Sequence, residues 1–331
     1  MNTKAVTGLL TLTTSIFTSA IIAILLFAGI CQGKELVIDK TTIDRDTIWE
    51  GEILIKGDVE VAPGATLTIM PGTVVRFAKI EEFGPQKLFT DKAHHFSRSE
   101  LFIRGRLYAQ GNPNQMITFT SAEKSPGPGD WGSVNFLDSV DNILEYCIFN
   151  YGQTAVHCHS AQVIITKNIF QHNGTAIGQK NLKGDPIKCV VPILYNRITD
   201  NGGGVLFGGG TTPTISHNEI SNNVFFGIYV KKGGPANIRF NNISGNGKGV
   251  IFYVVKKVNL RDNNIADNID YNISLLEGQT GDIMARNNWW GTTDEKGIRK
   301  YVMDNSRDKT LGSVDFSDFY KAPVPGAGLL D

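Results

Sequence analysis

The phrase Met284-Ala285-Arg286-Asn287-Asn288-Trp289-Trp290-Gly291 closes a series of similar phrases that begins at Ile143. In each phrase an apolar residue is followed three positions later by Asn and five positions later by Ile or, in the last phrase, by Trp. The asparagines recur at intervals of 22, 23, 22 and 24 residues. They are Asn196, Asn218, Asn241, Asn263 and Asn287. A fixed period in this range indicates stacked repeats, none of which can bury its apolar face alone.

The content of each repeat predicts strands rather than helices. The apolar segments are short, rich in Ile and Val, and separated by Gly and Asn, and no long stretch has the 3.6-residue period of a helix. Leu is too sparse for a leucine-rich repeat. The sequence therefore predicts an all-β fold, a single-stranded parallel β-helix in which successive coils pair about 4.8 Å apart.

The asparagine column has a structural explanation in such a fold. Asn tolerates the left-handed backbone of a sharp corner, and its amide carries both a donor and an acceptor. Stacked at the strand spacing, each amide can bond the amides of the coils above and below. A second column follows the core Ile of each phrase by three residues: Asn201, Asn223, Asn246 and Asn268. We interpret both columns as structural ladders rather than as ligand sites.

Residues 1–34 have the pattern of an export signal. A single early charge, Lys4, precedes an uncharged run from Ala5 to Gly33. The segment Leu26–Cys31 also resembles a bacterial lipoprotein cleavage box, in which Cys31 would be lipidated, although Ile30 replaces the small residue expected before the Cys. A signal peptide, a lipoprotein signal and an uncleaved membrane anchor all remain open. Each places the rest of the chain outside the cytoplasm.

Composition excludes one class of partner. The 331 residues include 32 basic and 32 acidic side chains, so the chain lacks the basic excess that nucleic-acid binding requires. If Cys31 is removed or lipidated, Cys147, Cys158 and Cys189 remain. Three cysteines cannot all pair within one chain, and their spacing matches no zinc motif. We predict neither a disulfide framework nor a metal or other cofactor.

The repeats are predicted to span residues 35–291, with an insertion at 78–100 and a C-terminal cap at 292–331. The insertion is charged and contains His94-His95, which we interpret as part of an exposed loop rather than a metal site. In the cap, Thr292 and Glu295 have the spacing of a capping box that begins a short helix. Such a cap would cover the open end of the last coil.

Several motifs together resemble the bacterial right-handed parallel β-helix repeat proteins of the pectin-lyase-like superfamily. They are Pro71-Gly72-Thr73-Val74-Val75, Ile117-Thr118-Phe119-Thr120-Ser121, Trp131-Gly132, the Asn-x-Ile coils and Asn288-Trp289-Trp290-Gly291. The resemblance covers roughly residues 45–323 and implies a right-handed coil. It implies no single activity, because the superfamily contains lyases, hydrolases, epimerases, adhesins and other exported proteins.

Known catalytic motifs of that superfamily are missing from the sequence. It contains neither the Gly-His-Gly of polygalacturonase-like members nor the Arg-x-Pro-x-x-Arg of pectate-lyase-like members. When the coils are aligned, Asp200 and Asp267 share a column but lie three coils apart, about 14 Å. Glycosidase carboxylates are about 5–9.5 Å apart. We predict no catalytic residue.

One strand of each coil offers a candidate binding face. If Val156 and its equivalents point inward, alternation places two columns of side chains outward. These columns contain the ligand-binding candidates His157, His159, Lys180, Tyr229, Lys231 and Tyr253. Lysines can pair with sugar carboxylates, and tyrosines can stack on pyranose rings. The two histidines could also form a metal pair, and the whole face could be an ordinary solvated surface.

We therefore expect an exported cell-envelope protein that binds carbohydrate or acts as a scaffold, without nucleic acid and with the membrane involved only through its N-terminal segment. The alternative is a lyase or hydrolase that acts on uronic-acid polymers along the same face. A non-enzymatic role is favoured because the catalytic motifs are missing.

Overall fold

The computed structural model describes residues 35–89, 95–181, 187–233 and 235–329. The predicted signal or anchor segment, including the lipidation candidate Cys31, lies outside these residues. Within them, no helix has the length and apolar composition needed to cross a bilayer.

Three parallel sheets run the length of the described chain, and most strands pair with the third strand that follows them in sequence. Sheet A contains Leu36–Ile38, Glu52–Ile55, Val74–Phe77, Ile117–Ser121, Cys147–Asn150, Ile169–Gln171, Arg197–Thr199, Glu219–Ser221, Asn242–Ser244 and Asn264–Ala266. Sheet B contains Thr41–Ile43, Val59–Val61, Leu101–Ile103, Val134–Leu137, Thr154–His159, Thr175–Lys180, Gly203–Gly208, Phe226–Lys231, Lys248–Tyr253, Tyr271–Leu275 and Val302–Met303. Sheet C contains Thr47–Trp49, Thr66–Ile69, Arg106–Gln110, Asn142–Glu145, Val163–Thr166, Pro192–Leu194, Thr214–Ser216, Ala236–Arg239 and Val258–Arg261.

This pairing pattern is that of a parallel β-helix, so the predicted fold class is confirmed. Every second side chain of a strand points into the coil, and the inward residues are mostly Val, Ile and Phe, which are buried. Inside sheet A, Phe119, Phe149 and Phe170 stack with ring centroids 4.8 Å apart, which matches the spacing between coils. Each coil thus buries its apolar side chains against its neighbours, as the repeat period requires.

The predicted asparagine ladder is present, with one correction. The side-chain amide of each ladder Asn donates to the Oδ1 of the next at 2.9–3.1 Å. The ladder begins at Asn168 and ends at Asn288, which is buried, whereas the predicted last member Asn287 is exposed. Asn264 pairs with Trp289, so Trp290 rather than Trp289 takes the position of the core Ile, and Asn288, two residues earlier, occupies the ladder position. The second column also forms a ladder, extended by Asn173 and Asn272.

The conformational explanation for these asparagines was wrong. The left-handed residue is the one before each ladder Asn: Tyr195, His217, Phe240, Asp262 and Asn287 have φ between 54° and 59°. The ladder side chain bonds the carbonyl two residues earlier and a carbonyl of the preceding coil, as Asn241 does with Arg239 and Ile215 at 2.9 Å each. Asn is therefore required for its donors and acceptor at a buried position, and the corner itself accepts other residue types.

The described part of the insertion is partly buried, contrary to the exposed loop that the sequence predicted. The Lys87 side chain is fully buried, and its Nζ lies 2.8 Å from Asp58 Oδ1 and 3.0 Å from Glu100 Oε2. Asn135 donates to Glu100 Oε1 at 2.9 Å, which joins the cluster to sheet B. Burial raises the pKa of Glu100 to about 7, although Lys87 opposes the shift. These pairings hold the insertion against sheet B.

The predicted histidine pair of the insertion is only half described. His94 lies outside the described residues, and His95 stacks on Phe89 with ring centroids 4.8 Å apart.

The C-terminal segment contains a short helix, Glu295–Lys300, and a two-stranded parallel sheet formed by Ile283–Met284 and Val314–Asp315. Asp294, rather than the predicted Thr292, caps the helix, because its carboxylate accepts from the N–H groups of Lys296 and Gly297. Val302–Met303 pairs with Ile273 and Ser274, so sheet B continues beyond Gly291.

Candidate functional site

The outward columns of sheet B lie in the predicted register. His157 aligns with Gly178, Leu206, Tyr229 and Ile251 in successive coils. The second column is His159, Lys180, Gly208, Lys231 and Tyr253. The residues that precede the first column point inward, and they are fully buried: Val156, Ile177, Val205, Ile228 and Val250. We call the surface formed by the two columns the sheet B face.

The six candidate residues differ in how far they reach solvent. Lys180 and Lys231 are exposed, and His157, Tyr229 and Tyr253 are half-buried. His159, which was predicted to lie on an open surface, is only 6% exposed. The insertion reaches this end of the face, where Phe96 meets the His157 ring edge-on with centroids 5.2 Å apart. The face is therefore open toward the tyrosines and closed at the histidines.

A cavity of about 360 Å³ opens in the sheet B face between the histidine end and Lys231. Two glycines of the columns line it and leave space that a larger residue would fill. A Cβ atom at Gly178 would lie 2.8 Å from His157 Cδ2, and one at Gly208 would collide with the backbone oxygen of Lys231. The strands alone would form a flat surface, and the two glycines turn it into a pocket.

The charge around this pocket is positive. Lys180, Lys231 and Lys232 line it, and the described lining residues include no carboxylate. Burial lowers the pKa of His157 well below its usual value, and His159 and Lys180 add to the shift. His157 is therefore a neutral imidazole at neutral pH. Its Nδ1 is buried and forms no hydrogen bond with any described residue.

The two tyrosines have different surroundings. Lys232 places its ammonium 5.7 Å from the ring centroid of Tyr253, so one face of that ring already holds a cation. Tyr229 meets Phe226 edge-on at 5.7 Å. Burial raises the pKa of Tyr229, and the neighbouring Tyr253 acts in the same direction. Tyr229 thus keeps its proton and is suited to contact a ligand rather than to remove a proton from one.

Sequence reasoning placed Gly208 in the second column but did not select Lys232 or the turn residues Gly209 and Gly210 as part of the site. Lys232 follows its strand directly, so strict alternation places it on the inward side. Instead it has a left-handed φ of 51°, which turns the side chain toward the pocket. The adjacent pair Lys231-Lys232 and the three consecutive glycines were visible as signals in the sequence.

The described residues form no group of three or more His, Cys, Asp or Glu side chains that could hold a metal ion. His157 and His159 make an edge-to-face pair with ring centroids 4.2 Å apart, which provides at most two imidazole ligands. Cys147, Cys158 and Cys189 are buried. Asp200 and Asp267 adopt left-handed corners outside the sheet B face.

The stacked sheets and asparagine ladders define a parallel β-helix repeat protein. A model of the NosD family, described as periplasmic copper-binding protein, matches residues 132–299, and the chain belongs to this family. The matched segment includes the sheet B face. The protein is exported to the periplasm or cell envelope, as expected from residues 1–34.

No curated protein sequence matches the chain. Among solved structures, a mutant of the periplasmic alginate epimerase AlgG aligns with 87% of this chain and 72% of its own, at 14% identity and a TM-score of 0.38. At this identity and TM-score, the match does not indicate an activity for this chain.

Proposed function

We propose that the protein is a cell-envelope β-helix that binds acidic carbohydrate on its sheet B face. The observation that carries the proposal is the pocket of about 360 Å³ in which three lysines converge without a carboxylate among the described lining residues. An acidic chain would gain charge-assisted hydrogen bonds from the lysines. Tyr229, half-buried beside the pocket, offers an aromatic surface for an adjacent sugar ring.

Binding is better supported than catalysis of the lyase or hydrolase type. Hydrolysis by paired carboxylates needs two acids at the scissile bond, and the described pocket residues supply none. Elimination needs a base whose pKa lies near the working pH. The pKa of Tyr229 is raised and that of His157 is lowered, so both move away from this range.

The test is a binding measurement on pectate, alginate and glycosaminoglycan chains by isothermal titration calorimetry, with and without calcium. We expect Tyr229→Ala to weaken binding about five- to tenfold, the effect of one aromatic contact of about 1 kcal/mol. Tyr108→Ala, which removes a half-buried tyrosine from the outward side of sheet C, is the matched control and should leave affinity unchanged. Equal effects of the two substitutions, or no binding by any acidic chain, would contradict the proposal.

Product release in the same samples separates binding from catalysis. We expect no unsaturated or shortened product after prolonged incubation. Depolymerisation that disappears in His157→Ala would establish the enzyme alternative instead.

Copper binding at the His157–His159 pair is a second candidate, and the family description favours it. The buried, unbonded Nδ1 of His157 and the lowered pKa of its ring suit a neutral imidazole ligand. The fit is partial, because the described residues provide two imidazoles and no third ligand. Titration with Cu(I) and Cu(II) tests it. One bound ion per chain, lost in His157→Ala and kept in His217→Ala, supports the site, and equal binding by both variants excludes it.

A further inference from the structure

We infer that the acidic group bound in the sheet B pocket is a phosphomonoester carried by a glycan, rather than a uronic-acid carboxylate. This inference rests on the proposed function, because it specifies the ligand of the same pocket. It follows from three features of the pocket: the spacing of two lysines, the fixed position of a third, and the glycine turn beside them.

Lys180 and Lys231 stand in one outward column with Gly208 between them. Coils are about 4.8 Å apart, so the Cα atoms of the two lysines are roughly 10 Å apart. Gly208 has no side chain, and a Cβ there would collide with the backbone oxygen of Lys231. The gap between the two lysine stems is therefore built into the backbone and is wide enough for one oxyanion.

Lys232 adds a third ammonium in a restrained position. Its backbone N–H donates to the Tyr253 carbonyl at 2.8 Å, and its φ of 51° is unusual for a residue with a long side chain. The ammonium also lies 5.7 Å from the Tyr253 ring centroid. These contacts reduce the conformational entropy that Lys232 would lose when it pairs with an anion.

The turn after Gly208 supplies backbone donors at the same end of the pocket. Gly209 and Gly210 both have positive φ, 60° and 78°. No described residue accepts a hydrogen bond from their N–H groups. A Cβ at Gly209 would lie 2.9 Å from Lys180 Cγ, so the turn packs directly against a pocket lysine. Gly209 also lines the pocket, and a backbone N–H group without a partner among the described residues is available to an anion.

Charge and geometry both favour phosphate over carboxylate. A carboxylate carries one charge and two coplanar oxygens, for which the arginine fork is the best partner, and the pocket contains lysines instead. A phosphomonoester carries about −1.5 to −2 charges and three acceptor oxygens near neutral pH. It can accept from three ammoniums at once, whereas one carboxylate would leave most of the positive charge unneutralised.

Matched polymers provide the test. Binding of the full exported chain to dextran phosphate, carboxymethyl dextran of equal substitution and uncharged dextran is measured by titration calorimetry. We expect dextran phosphate to bind at least tenfold more tightly than carboxymethyl dextran. Lys180→Gln, Lys231→Gln and Lys232→Gln should each weaken phosphate binding about three- to tenfold, the range for a partly exposed charged contact. Lys296→Gln, in the exposed part of the cap helix, should have no effect.

The pH profile gives a second, independent readout. The second ionisation of a phosphomonoester has a pKa of about 6, so its binding should strengthen from pH 5 to pH 7, while carboxylate binding should stay level. Burial raises the pKa of Tyr229, so this phenol stays neutral throughout the window. His157 is neutral because its pKa is lowered.

Each outcome decides between the two claims. If carboxymethyl dextran binds as tightly as dextran phosphate, or if phosphate binding does not vary with pH, this inference is wrong and the proposed function stands. If neither acidic polymer binds, both are wrong. The last measurement uses vesicles that contain a lipid with a phosphomonoester headgroup. Binding to these vesicles without binding to dextran phosphate would exclude a glycan as the carrier of the phosphate.

Discussion

Removal of one ladder amide should destabilise the β-helix strongly. The fully buried Asn241 side chain donates to Ile215 O and Arg239 O at 2.9 Å and to Asn263 Oδ1 at 3.0 Å. Its Oδ1 accepts from the backbone and side-chain amides of Asn218 at 3.0 and 2.9 Å. Asn241→Ala removes all of these contacts, in which the two N–H groups of Nδ2 are shared among three acceptors. At about 1 kcal/mol net for each of the two donors and the two accepted bonds, the free energy of unfolding should fall by about 4 kcal/mol.

The assay is urea unfolding followed by far-UV circular dichroism, with Asn237→Ala as the matched control. Asn237 is in the same repeat, but its bond to Asn259 lies at the surface, so its loss should change the free energy of unfolding by less than about 0.5 kcal/mol. Hydrogen exchange of the Asn218 amide, which loses its acceptor, should accelerate in Asn241→Ala alone. A loss below about 1 kcal/mol in Asn241→Ala, or equal losses in both variants, would refute the ladder as a source of stability.

Three further outcomes follow from other parts of the molecule. The pKa of Glu100 is about 7 in the folded protein against an ordinary 4.5, so the folded state holds this proton more tightly. The resulting stability is present below about pH 4.5, and the free energy of unfolding falls by about 3 kcal/mol as the pH rises to about 7. Glu100→Gln should remove this pH dependence from the midpoint of urea unfolding. Lys87→Met leaves two buried carboxylates without their cation, so calorimetry should show a free energy of unfolding lower by about 3–5 kcal/mol. A negligible change would argue against the buried cluster. Gly178→Ala should displace the His157 ring, because the new Cβ would meet it at 2.8 Å, and a His157 NMR resonance identical to that of the wild type would contradict the packing.

The asparagine ladder and the sheet B face were largely predictable from local sequence patterns. The 22- to 24-residue period and the alternation of apolar residues were enough to predict the parallel coil, the amide ladder and both outward columns. The error at Asn287 arose because two overlapping readings fit the phrase, Met284-x-x-Asn287-x-Trp289 and Ala285-x-x-Asn288-x-Trp290. The strand register places Asn288 in the ladder, and that register is a property of neighbouring coils rather than of one phrase.

The insertion and the pocket depended on contacts between distant residues. Lys87 looks like a solvated charge in its own segment, and only the approach of Asp58 and Glu100 makes its burial tolerable. Lys232 lies on the pocket side because of a left-handed backbone that alternation does not anticipate.

The sequence by itself therefore determined the fold and the register of every coil before the last, because each coil repeats the same short-range pattern and stacks on a copy of itself. The tertiary structure decided which part of that regular surface is a site. Gly178 and Gly208 line one pocket, and the three lysines surround it, because the stacking of different coils places these residues side by side.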